Sequence, residues 1–112
     1  MLQTISVTSA PSQKLRVKLD GREYVLRLRW SEREERWYLD VLDGKEVLLA
    51  GAIKIVANWP LLEAQRFSEA LPPGEIMAMD GRTSPADPGL RELGTTIPLV
   101  YLPAADVAGG VT

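Results

Sequence analysis

The chain has 112 residues, no Cys, no His and a formal net charge of -2. That length supports one domain with a single core, burying roughly two thirds of the unfolded surface, and a hydrophobic content of 46% excludes a disordered chain. Without Cys or His there is no disulfide framework, thiol nucleophile or thiolate metal site, and the usual general base, commonest transition-metal ligand and physiological pH switch are missing.

The charge total alone predicts neither nucleic-acid nor membrane attraction. Met1 to Val7 shows no basic start followed by a long apolar run, so no signal peptide is expected. The longest apolar stretch, Val47 to Val56, is interrupted by Gly51 and Lys54. It is far shorter than the roughly 20 residues that cross a bilayer. Folding in a cytoplasm, with no membrane partner, is the expectation.

Lys14 to Trp30 carries the clearest periodicity. Leu15, Val17 and Leu19 alternate with Lys14, Arg16, Lys18 and Asp20. After Asp20-Gly21, Tyr24, Leu26, Leu28 and Trp30 alternate with Glu23, Val25, Arg27 and Arg29. Period two on both sides of Asp-Gly predicts a hairpin with a type I′ turn. A two-residue loop sets Val17 opposite Tyr24, Leu15 opposite Leu26 and Lys18 opposite Glu23. The polar run Ser31 to Arg36 then forms a loop. A second hairpin follows: Trp37, Leu39 and Val41 alternate with Tyr38, Asp40 and Leu42, Asp43-Gly44 turns the chain, and Val47 to Ala50 returns. Its loop has two or three residues and its register stays open. Gly51 marks a bulge or bend before Ala52 to Val56.

Asn58 to Ala70 is the one helix candidate, with Pro60 in the first turn and Asn58 or Trp59 near the cap. An irregular loop is the alternative. Glu75 to Asp80 reads as a strand, Gly81 to Thr96 as a long polar loop, and Ile97 to Leu102 as the last strand. Pro98 has no N–H, which puts that strand at an edge or puts Pro98 at its start. The class is therefore all-β: a small antiparallel meander closing into a barrel or sandwich of about six to seven strands, with at most one short helix. Residues 1–103 form one β-rich domain, and 104–112, small and Gly-rich, form a flexible tail.

No catalytic, metal or cofactor site emerges. Glu32, Glu34 and Glu35 lie among Arg33 and Arg36 in an exposed loop, which does not raise a carboxyl pKa. Asp80 and Asp87 flank a loop lacking the alternating oxygen ligands of a calcium site, so Asx-type turn bonds account for them better. Phosphate loops, dinucleotide fingerprints and nucleophile elbows are absent.

The features left are surface features. Lys14, Arg16, Lys18, Arg27 and Arg29 fall on the face opposite Leu15, Val17, Leu26 and Leu28. That stripe is either the wet face of an antiparallel sheet or a contact for an acidic partner. No aromatic is interleaved with it, which argues against single-stranded nucleic acid and for a protein. Tyr24, Trp30 and Trp37 are assigned to the core or its rim. Trp59, outside the regular sheet, either caps one end of the barrel or anchors an interface. Arg16, Lys18, Arg27, Arg29 and Trp59 are the candidate interface residues.

The run Leu19-Asp20-Gly21-Arg22-Glu23-Tyr24-Val25-Leu26-Arg27-Leu28-Arg29-Trp30 resembles the N-terminal hairpin of the small baseplate plug proteins of contractile-tailed bacteriophages. Trp37 to Val41 fits the same pattern, as do Gly51 to Val56 with Leu61-Leu62, the Leu71-Pro72-Pro73-Gly74-Glu75 turn, Asp87, Leu93-Gly94 and Leu99-Val100-Tyr101. The likeness spans roughly residues 3 to 102 and rests on the ordered combination. It implies a non-enzymatic virion structural protein without cofactors, assembled in the host cytoplasm. Such a protein would sit in the tail baseplate, in several copies, and help join tail tube, hub and spike. The alternative is a small β-barrel module that binds a peptide or single-stranded nucleic acid.

Alternation places Leu26 inside, so Leu26→Asp forces a carboxylate into the core. The variant is expected to be insoluble or unfolded by circular dichroism; a well-folded product would reverse the face assignment.

Overall fold

Asp20 and Gly21 turn the chain at φ values of 51° and 80°, the paired positive φ of a type I′ turn. They do so in a computed structural model that describes residues 3–8, 10–63, 71–83 and 86–104. The turn joins β2 (Ser12–Leu19) to β3 (Arg22–Ser31). Val17 pairs with Tyr24, Leu15 with Leu26 and Lys18 with Glu23, the register expected from the sequence. β4 (Arg36–Asp43) lies antiparallel to β3 and sets Trp30 opposite Trp37. Their rings meet edge to face at 5.7 Å, a favoured aromatic geometry. The Trp37 indole N–H donates to the Gly89 carbonyl, pinning the later loop to this sheet.

The second hairpin is longer than expected. β5 begins at Leu48, not Val47, and runs to Lys54. The Asp43 carboxylate accepts the amides of Lys45 and Val47. The left-handed residue in this turn is Glu46, at φ 64°, not Gly44. A side chain that captures two amides organises a loop that the Asp-Gly dipeptide alone would close more tightly. A bulge does sit at Gly51: Ala50 pairs with Val41 and Ile53 with Leu39, so Gly51 and Ala52 together face Asp40. Positive φ falls on Ala52, at 55°.

The second sheet has three strands in the order β1-β7-β6. These are β1 (Gln3–Ile5), β6 (Glu75–Ala78) and β7 (Leu99–Leu102). β1 is a strand that the sequence pattern did not reveal. β7 is central rather than an edge, and Pro98 lies just before it, where a missing N–H costs the ladder nothing. Seven strands in two antiparallel sheets make the fold all-β.

No α-helix forms over Asn58 to Glu63, the described part of the helix candidate, where Glu63 alone enters a 3₁₀ turn as its amide donates to the Pro60 carbonyl; residues 64–70 lie outside the described residues. Asn58 does not cap a helix. It takes φ 56° and clasps Asp80, donating from Nδ2 to the Asp80 carbonyl and accepting its amide at Oδ1. Ala57 bridges Ala78, and the Leu61 amide donates to the Ile76 carbonyl. β6 thus claims the backbone groups that a helix would use. Because Ile55 still donates to Trp37 of β4, this crossing stitches one side of the four-stranded sheet to the three-stranded one.

The two sheets share one core. Leu26, Leu28, Trp37, Leu39, Val41 and Ile53 meet Ile5, Ile76, Leu99 and Tyr101, all within 7% of full burial. A polar chain ties their ends. The Gly74 amide donates to the Tyr101 hydroxyl, which donates to Asp20 at 2.6 Å, and Asp20 also accepts the Ala104 amide. Ala104 opens the segment expected as a tail; 105–112 lie outside the described residues. The Tyr101 hydroxyl, then the Ala104 amide, hold the Asp20 carboxyl below its ordinary value.

Gly74 is a steric requirement: a Cβ there would lie 1.9 Å from the Leu102 carbonyl and 2.7 Å from the Tyr101 ring. Gly74→Ala should therefore cost at least about 2 kcal/mol, read as a lowered urea midpoint. A midpoint equal to the parent's would refute the close approach.

Candidate protein interface

The outer face of the four-stranded sheet is built in rows across the strands. Ser12, Arg29, Tyr38 and Lys54 share one row. The next holds Lys14, Arg27 and Asp40, with the Gly51 bulge beyond. Arg16, Val25, Leu42 and Leu48 form the third. Alternation in β2 and β3 thus brings Arg16, Lys18, Arg27 and Arg29 together, as the periodicity requires.

Their carboxylate partners are the part that the sequence reading missed. Asp40, almost wholly buried on this face, accepts Arg27 Nε at 2.9 Å and Arg29 Nε at 3.2 Å. Arg29 Nη2 reaches its other oxygen, and the bulge supplies the Ala52 amide. Burial alone would push the Asp40 carboxyl up; the Ala52 amide, then Arg27 and Arg29, outweigh it and hold the carboxyl below its ordinary value. One carboxylate balances two guanidinium groups, so a positive charge and several N–H donors remain at the surface. Each arginine side chain is nearly half exposed.

The remaining cations differ among themselves. Lys14 pairs with Glu46, and Arg16 with Glu23 and Glu46, all exposed. Lys14 above all holds Glu46 below its ordinary carboxyl value. Among the described residues Lys18 and Lys54 have no carboxylate partner. Val25 and Leu42 are buried beneath these long side chains, while Val47 and Leu48 stand more than half exposed beside them. A shallow depression lies between, lined by Arg27, Arg29, Asp40, Leu48, Gly51 and Ala52. The arrangement is cationic, rimmed by apolar groups and anchored by one buried acid. It suits an acidic protein surface carrying an apolar neighbour.

Trp59 belongs to a different element. It lies beside the Asn58–Asp80 clasp and is 57% exposed, so it does not cap the core. The Asp80 carboxylate is occupied by Arg82 through two bonds and by the amides of Arg82 and Ala86, the Asx-type turn expected there. Arg82, then the Ala86 amide, depress its pKa strongly.

A carboxyl depressed in the folded state contributes stability above its unfolded pKa, and that contribution is lost as pH falls through the folded value. For Asp40 the loss sets in only as pH falls below the ordinary carboxylate range. Asp40→Asn should cost about 1–3 kcal/mol at neutral pH, because two guanidinium groups lose their acceptor. It should also shrink the difference between urea midpoints measured near pH 7 and pH 3. An unchanged acid limb in this variant would show that Asp40 is not the acceptor.

A family model described as cyanophage baseplate Pam3 plug gp18 matches residues 2–104. Among curated proteins none matches the chain. The family match takes in every strand of both sheets, and the chain belongs to this family of phage tail baseplate plug proteins, a structural class and not an enzyme class.

Proposed function

We propose that this chain acts by shape, as a joint that links the hub, tail tube and spike of the baseplate through protein–protein contacts. Several copies are assembled per particle in the host cytoplasm and retained in the virion. Arg16, Lys18, Arg27 and Arg29 supply one contact surface and Trp59 a second. The observation that carries the reading is the pair Arg27 and Arg29, half exposed above a single buried Asp40. Asp40 orients both guanidinium groups and leaves further N–H donors free to meet a partner. Fixed, desolvation-ready arginines suit recognition of carboxylates. The exposed Trp59 adds the residue type most enriched at interface hot spots.

Co-expression with the products of the neighbouring tail genes tests the reading, and a chain that remains solitary with all of them overturns it. Within a recovered complex, Trp59→Ala should leave the folded spectrum and melting temperature unchanged. It should weaken association roughly 30-fold, the loss of a hot-spot residue of about 2 kcal/mol. Lys18→Glu and Lys54→Glu, which break no ion pair, should slow association and reduce its salt dependence.

A further inference from the structure

The seven strands almost close into a barrel. On one side Ala57, three residues beyond the end of β5, makes an isolated bridge to Ala78 of β6, and β6, β7 and β1 follow in order. The circuit fails between β1 and β2, where no backbone ladder forms among the described residues. Two glutamine side chains span the seam instead. Gln3 Nε2 donates to the Lys18 carbonyl at one end. At the other, Gln13 accepts the Thr8 amide and donates to the carbonyls of Thr8 and Ala10.

The polarity of the open edge is fixed by the register. Trp30 donates to Pro11, so odd-numbered residues of β2 exchange bonds with β3 and even-numbered ones face away. The Lys18 carbonyl taken by Gln3 agrees. The N–H and C=O groups of Lys14 and Arg16 therefore point into the seam, and no bond to them forms among the described residues. Side chains alternate there as well: Lys14, Arg16 and Lys18 on the outer face, Leu15 and Val17, half-buried, on the inner one.

We propose that the β2 edge receives an extended strand from another protein, one with Asp or Glu at alternate positions and apolar residues between them. Strand addition satisfies the open backbone groups. The acidic side chains lie beside Lys14, Arg16 and Lys18, and the apolar ones continue the Leu15 and Val17 face. Lys14 and Arg16 exchange their exposed partners Glu46 and Glu23 at little cost. A second copy of this chain does not fit. Paired β2 edges would set cation against cation, and neither β5 nor β1 carries an acid, while Glu75 of β6 is buried. The inference rests on reading this sheet as an assembly surface and adds the form of the partner.

The probe is a capped peptide alternating Glu and Val, titrated into the full chain labelled with 15N. Exchange protection is expected at the amides of Lys14 and Arg16. The matching Lys and Val peptide should bind roughly tenfold more weakly or worse. N-methylation of the seam-facing peptide amides should abolish binding. Arg16→Pro removes an N–H that faces away from β3, a place where an edge strand accommodates proline; it should keep the hairpin and lose the peptide. If that variant does not fold, the N-methylated peptide makes the same test on the unaltered protein. No binding, equal binding of the Glu and Lys peptides, or binding that survives N-methylation with Lys14 and Arg16 unprotected each overturns the proposal. None of those results alters the co-expression measurement, so the two readings fail separately.

Discussion

The carboxylate of Asp20 joins the two sheets at one end of their shared core. Its backbone supplies the first positive φ of the type I′ turn, which fixes the β2–β3 register and hence the face of every side chain on both strands. Its side chain accepts from Tyr101 of β7 and from Ala104 beyond it. The same residue thus sets the register within one sheet and the position of that sheet against the other. Gly74 completes the junction because only a residue without Cβ lets its amide reach the Tyr101 hydroxyl. Burial, then the bond to Asp20, pushes the pKa of that hydroxyl well above the ordinary tyrosine range and so favours its donor form. Asp20, Gly74 and Tyr101 lie in three separated stretches of the sequence, and they meet at one place.

The first hairpin was legible in the sequence because a two-residue turn couples backbone conformation to register. Both faces could then be checked against each other, apolar pairs inside and Lys18 with Glu23 outside. Asp43-Gly44 offers the same dipeptide and a different outcome. There the aspartate side chain binds two amides of a longer loop, and a side-chain bond across several residues leaves no periodic trace. β1 was hidden for another reason. It is three residues long with one buried side chain, Ile5, and only its pairing with β7 at the far end of the chain makes it a strand. Asn58 next to Pro60 reads locally as a helix start. The clasp with Asp80 is a tertiary contact that overrides this preference.

The candidate surface shows the same division between local and long-range information. Alternation was enough to gather Arg16, Lys18, Arg27 and Arg29 on one face. What they do there depends on Asp40, which arrives through the β3–β4 register and is seated by the bulge at Gly51 and Ala52. That bulge frees the Ala52 amide, and the amide helps keep the buried Asp40 charged. Burial works against that charge, and the amide joins Arg27 and Arg29 in opposing it. The bulge is thus a device for holding cations in place on a sheet surface. Trp59 is exposed for a related reason. The Ala57–Ala78 bridge and the Asn58 clasp consume the backbone of its segment and leave its side chain outside the core.

A chain of this size faces a choice at its last seam. Sealing β1 to β2 with a backbone ladder would remove an edge and make a self-contained barrel. This protein instead bridges the seam with Gln3 and Gln13, side chains whose amides satisfy a few backbone groups at its two ends without closing the ladder. Such bonds at exposed positions are individually weak and readily exchanged for others. The cations along β2 then act in two directions: like charges keep two free copies apart, and they attract a strand of the opposite sign. An edge that receives a strand of another protein, as proposed, needs both properties at once. An open edge alone would invite aggregation, and a closed barrel would offer only its faces. The half-closed, positively charged edge meets both demands through the alternation of Lys14, Arg16 and Lys18 with Leu15 and Val17.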